Sequence, residues 1–171
     1  PGPGIGGHCI PLDPYYLSWK MKTLNFAARF IELAGEINGK MPEFAMLKLG
    51  RLLNARGKSL KGARILVVGV AYKPNVPDTR ESPALDVITL LRESGARVEY
   101  HDPFVSRVTL GVGPTLRSVT LTPARLKAAD CVLITTAHAG VAYDRILKSA
   151  RLIFDTRNAL RGRRAPNLIR L

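Results

Sequence analysis

The chain has 171 residues, 46% of them hydrophobic and 23% charged, a balance that excludes disordered, collagen-like and disulfide-scaffold proteins. No apolar run approaches the ~20 residues a membrane span needs, and its 2 cysteines are too few for a disulfide framework and fit a reducing compartment, so a soluble cytoplasmic protein with no membrane partner is expected. Lys and Arg number 26 against 13 Asp and Glu, a formal net charge of +13 that points to phosphate-rich partners. The basic residues are scattered singly, with only Arg161, Arg163 and Arg164 close together and no aromatics between them, which favours nucleotides over nucleic acid.

The chain starts at Pro1-Gly2 with no initiator Met and no signal-peptide pattern, entering in the middle of a motif, so it is expected to be a fragment. Residues Pro1 to Asp13 are too rich in Gly and Pro for a helix or a ladder and read as a loop. Asp13-Pro14 reads as an N-cap followed by Pro at the first helical position, opening a short helix through Lys20. From Asn25 to about Arg56, Phe26, Phe30, Leu33, Ile37, Phe44, Leu47 and Leu52 fall near helical spacing. This is one long helix with a kink or two in succession, with Gly39 and Pro42 as the interruptions, and it is too apolar to stand exposed, so a homodimer across it is expected. Arg56-Gly57-Lys58-Ser59 closes it and divides the chain into residues 1–58 and 59–171.

Beyond that boundary short apolar runs alternate with helical patterns. Arg64 to Gly69 is a buried-type strand, Ser82-Pro83 opens a helix carrying Leu85, Val87, Ile88, Leu90 and Leu91, Gly95 stops it, and Arg97 to His101 is the next strand. A short helix over Ala124–Ala129, a strand over Asp130–Thr135, a helix over Tyr143–Ala150 and a strand over Arg151–Asp155 follow. The alternation predicts an α/β fold, a parallel sheet with helices on both faces, whose ligands gather at the carboxyl ends of the strands.

Gly2-x-Gly4-x-x-Gly7 satisfies the dinucleotide expression, yet no strand precedes it, so it reads as a loop that brings backbone close to an anionic ligand. Cys9 lies in that loop, beside His8 and just before a helix N-terminus, surroundings that favour a nucleophilic thiolate; Asp13 follows four residues on. The competing reading makes Cys9 a small packed residue and Asp13 a cap. Cysteine-hydrolase dyads are normally assembled from distant positions, which argues against that chemistry here. The three His and two Cys show no metal-ligand spacing, and Cys131, inside an apolar run, reads as core. Lys73 and Arg80 lie in the loop after the first strand, as solvated charges or as partners for phosphate. Asp102 ends the second strand where a ribose-binding acid would lie, but that loop lacks Gly-x-Gly-x-x-Gly, so a nucleotide other than NAD fits it better.

Gly4-Ile-Gly-Gly-His-Cys-Ile-Pro-Leu-Asp-Pro14 and Gly69-Val-Ala-Tyr-Lys-Pro-Asn-Val-Pro-Asp-Thr-Arg-Glu-Ser-Pro83 together resemble the UDP-glucose/GDP-mannose dehydrogenase family. Phe30-Ile-Glu-Leu-Ala-Gly-Glu-Ile-Asn38 is most similar to its UDP-N-acetylglucosamine 6-dehydrogenase branch. The resemblance implies the end of a central, dimer-forming helical region over 1–58 and a Rossmann-like UDP-sugar-binding domain over 59–171, with the NAD-binding domain outside the chain. It implies oxidation of the sugar C6 alcohol to a carboxylate with two NAD, through a thiohemiacetal and thioester on Cys9, with Asp13 as the base for water. Pro3, Gly4, Ile5 and Gly6 would approach the sugar, Tyr72, Lys73 and Arg157 would contact the nucleotide sugar, and Cys9 and Arg80 would face NAD. The chain alone would be inactive; the alternative is a stand-alone module that binds UDP-sugars without catalysis.

Overall fold

The computed structural model describes residues 2–111 and 113–171; Pro1, the first residue of the predicted opening loop, lies outside them. In chain order the elements are α1 (Asp13–Lys22), α2 (Arg29–Gly39), α3 (Met41–Asn54), β1 (Arg64–Val68), α4 (Pro83–Glu93), β2 (Arg97–His101), β3 (Arg107–Thr109), β4 (Thr115–Arg117), α5 (Pro123–Ala128), β5 (Cys131–Ile134), α6 (Tyr143–Ser149), β6 (Ile153–Asp155) and β7 (Leu168–Arg170).

Five strands make one sheet in the order β2-β1-β5-β6-β7, every pair parallel. Successive side chains of β1 point to opposite faces. Ile65 and Val67 join Leu49 and Leu53 of α3 and Val87, Ile88 and Leu91 of α4 in one core. Leu66 and Val68 join Leu126 of α5 and Ile146 of α6 in the other. A parallel strand covered on both faces has no solvent side to make polar, which is why Ile-Leu-Val-Val runs uninterrupted. The fold is therefore α/β and Rossmann-like, with helices on both faces as the alternation predicted.

From β1 the chain passes through α4 to β2 on one side and later returns to β5 on the other. The loops leaving the carboxyl ends of β1 and β5 thus diverge in opposite directions, opening the crevice where such sheets bind ligands. The antiparallel β3–β4 pair and the edge strand β7 were not anticipated.

The predicted Asn25–Arg56 helix is two helices broken at Lys40, where Gly39 ends α2 and Pro42 sits in the first turn of α3. It also starts later than expected, at Arg29, because Asn25 takes a left-handed φ of 54° that a helix excludes. At α1 the N-cap is Leu12 rather than Asp13. The Leu12 and Asp13 amides already donate to the Cys9 carbonyl at 3.0 and 2.8 Å, which winds Asp13 into the first turn. The elements β5, α6 and β6 are shorter than predicted by one to two residues at an end, and α5 is shifted by one residue to Pro123–Ala128, as helix and strand termini fray.

Candidate functional site

The glycine loop is seated on the crevice. The Gly7 amide donates to the Arg80 carbonyl at 3.1 Å. A Cβ on Gly6 would lie 2.7 Å from the Tyr72 Cβ, and one on Gly7, whose φ is +91°, would lie 2.8 Å from the Tyr72 ring. Only glycine allows this approach. Farther back, Gly2 lies so close to the Arg157 guanidinium that a Cβ there would overlap it. Four sequence-predicted groups are thereby brought together: the glycine loop, the Tyr72–Lys73 turn, Arg80 and Arg157. Within the loop Pro3 is buried, Gly4 and Gly6 are half-buried and Ile5 is exposed, so Ile5 and its flanking glycines present the loop's accessible surface.

Cys9 is exposed with a free thiol, and its Sγ lies 3.1 Å from His8 Nδ1. Asp13 follows one helical turn on, tied back through its own amide to the Cys9 carbonyl, and its carboxylate takes part in no hydrogen bond or ion pair among the described residues. A free thiol and a free carboxylate thus share one turn. Cys131 is the opposite case: fully buried, with burial pushing its thiol up to about 12, it is inert packing.

Lys73 is exposed, its Nζ 5.6 Å from the centre of the Tyr72 ring, a cation–π contact that leaves the ammonium facing solvent. The Tyr72 amide donates to the Asp78 carbonyl at 3.0 Å and closes the turn. Arg80 is held by Asp78: its Nε donates to both carboxylate oxygens at 3.1 Å and its Nη2 to Oδ2 at 2.7 Å. The Arg80 guanidinium and its backbone amide hold the Asp78 carboxyl down at about 2. With 66% of its side chain exposed at the edge of the cysteine loop, Arg80 remains open to solvent beyond this pairing. Arg157 follows β6, its amide donating to Asp155 Oδ1 at 3.0 Å.

A cavity of about 480 Å³ borders this loop, between Gly4, Ile5, Pro14, Phe30, Asn38 and Asp86. Burial raises the Asp86 carboxyl, with Glu81 adding to the effect. The volume is that of a small-ligand site.

Asp102 is not free to bind a ribose. It is buried, and its two oxygens accept from four backbone amides and face His138 Nε2. Burial pushes its carboxyl up, but the hydrogen bonds from His138, Val70 and Phe104 outweigh that and hold it below the ordinary value. Sequence reasoning missed His138 and Asn75, which complete this network; both lie in the loops that follow the neighbouring strands β5 and β1.

A parallel sheet with a switch-point crevice, a glycine loop seated over it and cations at its rim define a nucleotide-binding α/β protein. Residues 66–162 match the UDP binding domain of the UDP-glucose/GDP-mannose dehydrogenase family, and residues 1–40 match that family's central domain. The chain belongs to this family of dehydrogenases. A UDP-N-acetyl-D-mannosamine dehydrogenase of Methanococcus maripaludis is 34% identical over 94% of this chain and 36% of its own length. A UDP-N-acetyl-D-glucosamine 6-dehydrogenase of Pseudomonas aeruginosa is 33% identical over 60% of this chain and 24% of its own. The solved structure of a UDP-D-ManNAc dehydrogenase from Pyrococcus horikoshii superposes with a TM-score of 0.80 at 32% identity, over 99% of this chain and 38% of that one. The chain thus spans between about a quarter and little more than a third of the length of these relatives.

Proposed function

We propose that this chain supplies the UDP-sugar side of an NAD-dependent dehydrogenase that oxidises the C6 alcohol of a UDP-N-acetylhexosamine to the uronic acid, with Cys9 as covalent nucleophile. The observation that carries this reading is the seating of the glycine loop on Tyr72 and Arg80, which brings Cys9 to the rim of the switch-point crevice. Residues 1–58 are read as the end of the central region and 59–171 as the UDP-sugar domain, with α3 sharing its buried face with the sheet.

NAD would supply the hydride acceptor, one molecule for each of the two oxidations at C6 with the alcohol proton passing to solvent in the first, and Arg80 is the residue of this chain suited to its diphosphate. His8 Nδ1 is placed to take the Cys9 thiol proton. The Cys9 sulfur then bonds to the C6 aldehyde carbon as the carbonyl π pair moves to oxygen and gains a proton. Covalent capture keeps the aldehyde in place and leaves one more C6 hydrogen to depart as hydride, with the oxygen losing its proton, so that Cys9 carries a thioester. Asp13 orients and deprotonates the water that breaks the sulfur–carbon bond and releases the carboxylate. Lys73, Tyr72 and Arg157 hold the UDP portion, and Gly4, Ile5 and Gly6, backed by buried Pro3, line the sugar.

The sequence resemblance favours N-acetylglucosamine, whereas the relative matched over the greater share of the chain is named for its C2 epimer, N-acetylmannosamine. Both epimers are therefore the substrates to compare. The exposed apolar side chains of α1 and α2 and the turn between them, Trp19, Leu24, Phe26 and Phe30 among them, support a second copy of the protein as partner. No helix among the described residues is long and apolar enough to cross a membrane, and two free thiols fit the reducing cytoplasm.

Intact-protein mass spectrometry of the complete enzyme mixed with UDP-sugar and NAD tests the covalent step. Asp13→Asn should accumulate a C6 thioester adduct on the enzyme that Cys9→Ser abolishes along with acid formation. Acid formation by Cys9→Ser at the wild-type rate would overturn the mechanism.

A further inference from the structure

Asp102, at the carboxyl end of β2, and His138, beyond β5, are separated by 36 positions in the chain, and the side chains of both are wholly buried. Asp102 Oδ2 accepts the amides of Val70 and Ala71 at 2.7 and 3.2 Å and lies 3.0 Å from His138 Nε2, while Oδ1 accepts those of Phe104 and Val105 at 2.8 and 3.0 Å. On the other edge of the ring, His138 Nδ1 accepts the Asn75 amide at 2.9 Å. A ring nitrogen that accepts from an amide carries no proton, so the hydrogen-bond pattern assigns the proton to Nε2, which donates it to Asp102.

These bonds fall on the two ends of one short segment. Val70 and Ala71 are held directly by the carboxylate; Asn75 is held through the imidazole and held again where its Oδ1 accepts the Ala139 amide at 2.9 Å. Asn75 takes a left-handed φ of 63°, the turn that brings its amide onto the ring. Between the fixed ends lie Tyr72 and Lys73, at the surface above the crevice, with Pro74 stiffening the link. Packing alone could fill the space beneath the turn with apolar side chains at no loss of stability. A buried carboxylate and imidazole add direction: each bond specifies where one backbone amide must point.

We propose that Asp102, His138 and Asn75 form a positioning relay that holds the Tyr72–Lys73 turn in its ligand-receiving conformation before the nucleotide arrives. The proposal rests on the reading of that turn as the contact for the UDP portion. The relay touches no ligand and acts by removing the ordering cost that a free turn would meet on binding.

The test is a double-mutant cycle on this chain, titrating UDP by calorimetry into wild type, His138→Leu, Lys73→Ala and the double variant. The relay requires His138→Leu to weaken UDP about tenfold when Lys73 is present but less than about twofold in the Lys73→Ala background, since a lost position matters only while the positioned group is present. Should His138→Leu fail to fold, His138→Gln, which can still donate to Asp102 while losing the acceptor for Asn75, carries the same cycle. A merely structural role would lower the thermal midpoint and weaken UDP by the same factor in both backgrounds; that additivity, or unchanged affinity in the His138 variants, overturns the relay. Absence of UDP uptake by the wild-type chain would instead remove the reading on which the relay rests, and the relay with it.

Discussion

The sheet region and the α1–α2 pair both carry many apolar residues and use them in opposite ways. In β1, β5 and β6 every apolar side chain is enclosed, with Phe154 and Leu133 in the core beneath α3 and α4. In α1 the single buried residue is Ser18, and α2 has none; Trp19 and Phe30 are 67% and 87% exposed. Beside the Tyr15 ring seated on Gly35, polar contacts join the two helices: Ser18 Oγ donates to Glu32 Oε1 at 3.0 Å and Lys22 pairs with the same carboxylate. A crossover topology supplies the strands with two covering layers, whereas a helix pair at the edge of the fold lacks the second. The apolar residues of the first region therefore stabilise this chain, and those of the second stay exposed on it.

The enclosed region gives the strongest way to break this contrast. Phe154→Ala, in a fully buried position, should cost about 3–5 kcal/mol of folding free energy. Urea denaturation reads this directly, and a change under about 1 kcal/mol would mean that β6 lies outside the core.

Asp102 should give the next largest effect. Replacing it with Asn leaves buried amides poorly matched and should cost on the order of 1–3 kcal/mol at neutral pH. Its folded carboxyl lies below the ordinary value of 3.8 despite burial, so its contribution is complete above about pH 4 and is lost as the pH falls through the lower, folded value. The unfolding midpoint of the wild type, followed from pH 7 to pH 2, should fall over that acid window, and the Asp102→Asn variant should fall less. Parallel curves for the two proteins would place the acid sensitivity in other carboxylates.

The smallest effect sharpens the contrast most. Phe30→Ala should leave the folding stability of this chain within about 0.5 kcal/mol, because so exposed a ring has little to lose. The same change should weaken self-association measured by light scattering at high protein concentration. A large stability loss with unaltered mass would reverse the assignment of that face.

The same contrast explains what could be read in advance. Ile65-Leu-Val-Val68 and Cys131-Val-Leu-Ile134 announce themselves because strands covered twice are apolar at every position. The β3–β4 pair, with Val108 and Leu116 as its only inward residues, and β7, three residues long after an Arg-rich stretch, carry too little pattern to separate from loop. In the site, Cys9, Asp13, Lys73 and Arg80 stand out because reactive or charged residues in Gly- and Pro-rich loops are locally conspicuous. The seating of Gly6 and Gly7 on Tyr72 and the meeting of Asp102 with His138 are products of the β2-β1-β5 order, and short-range patterns do not encode which strand lies beside which. The N-cap at Leu12 was missed for a similar reason, since the Cys9 carbonyl had already claimed the Asp13 amide.

The central claim is that the carboxyl end of β1 receives the UDP portion of a nucleotide sugar. Isothermal titration of UDP into this chain and into Lys73→Ala tests it directly, since Lys73 is exposed and its removal leaves the core untouched. Saturable binding by the wild-type chain should weaken about tenfold in the variant, the value of one charge-assisted hydrogen bond, with an unchanged thermal midpoint. Equal affinity in the two proteins would contradict the claim.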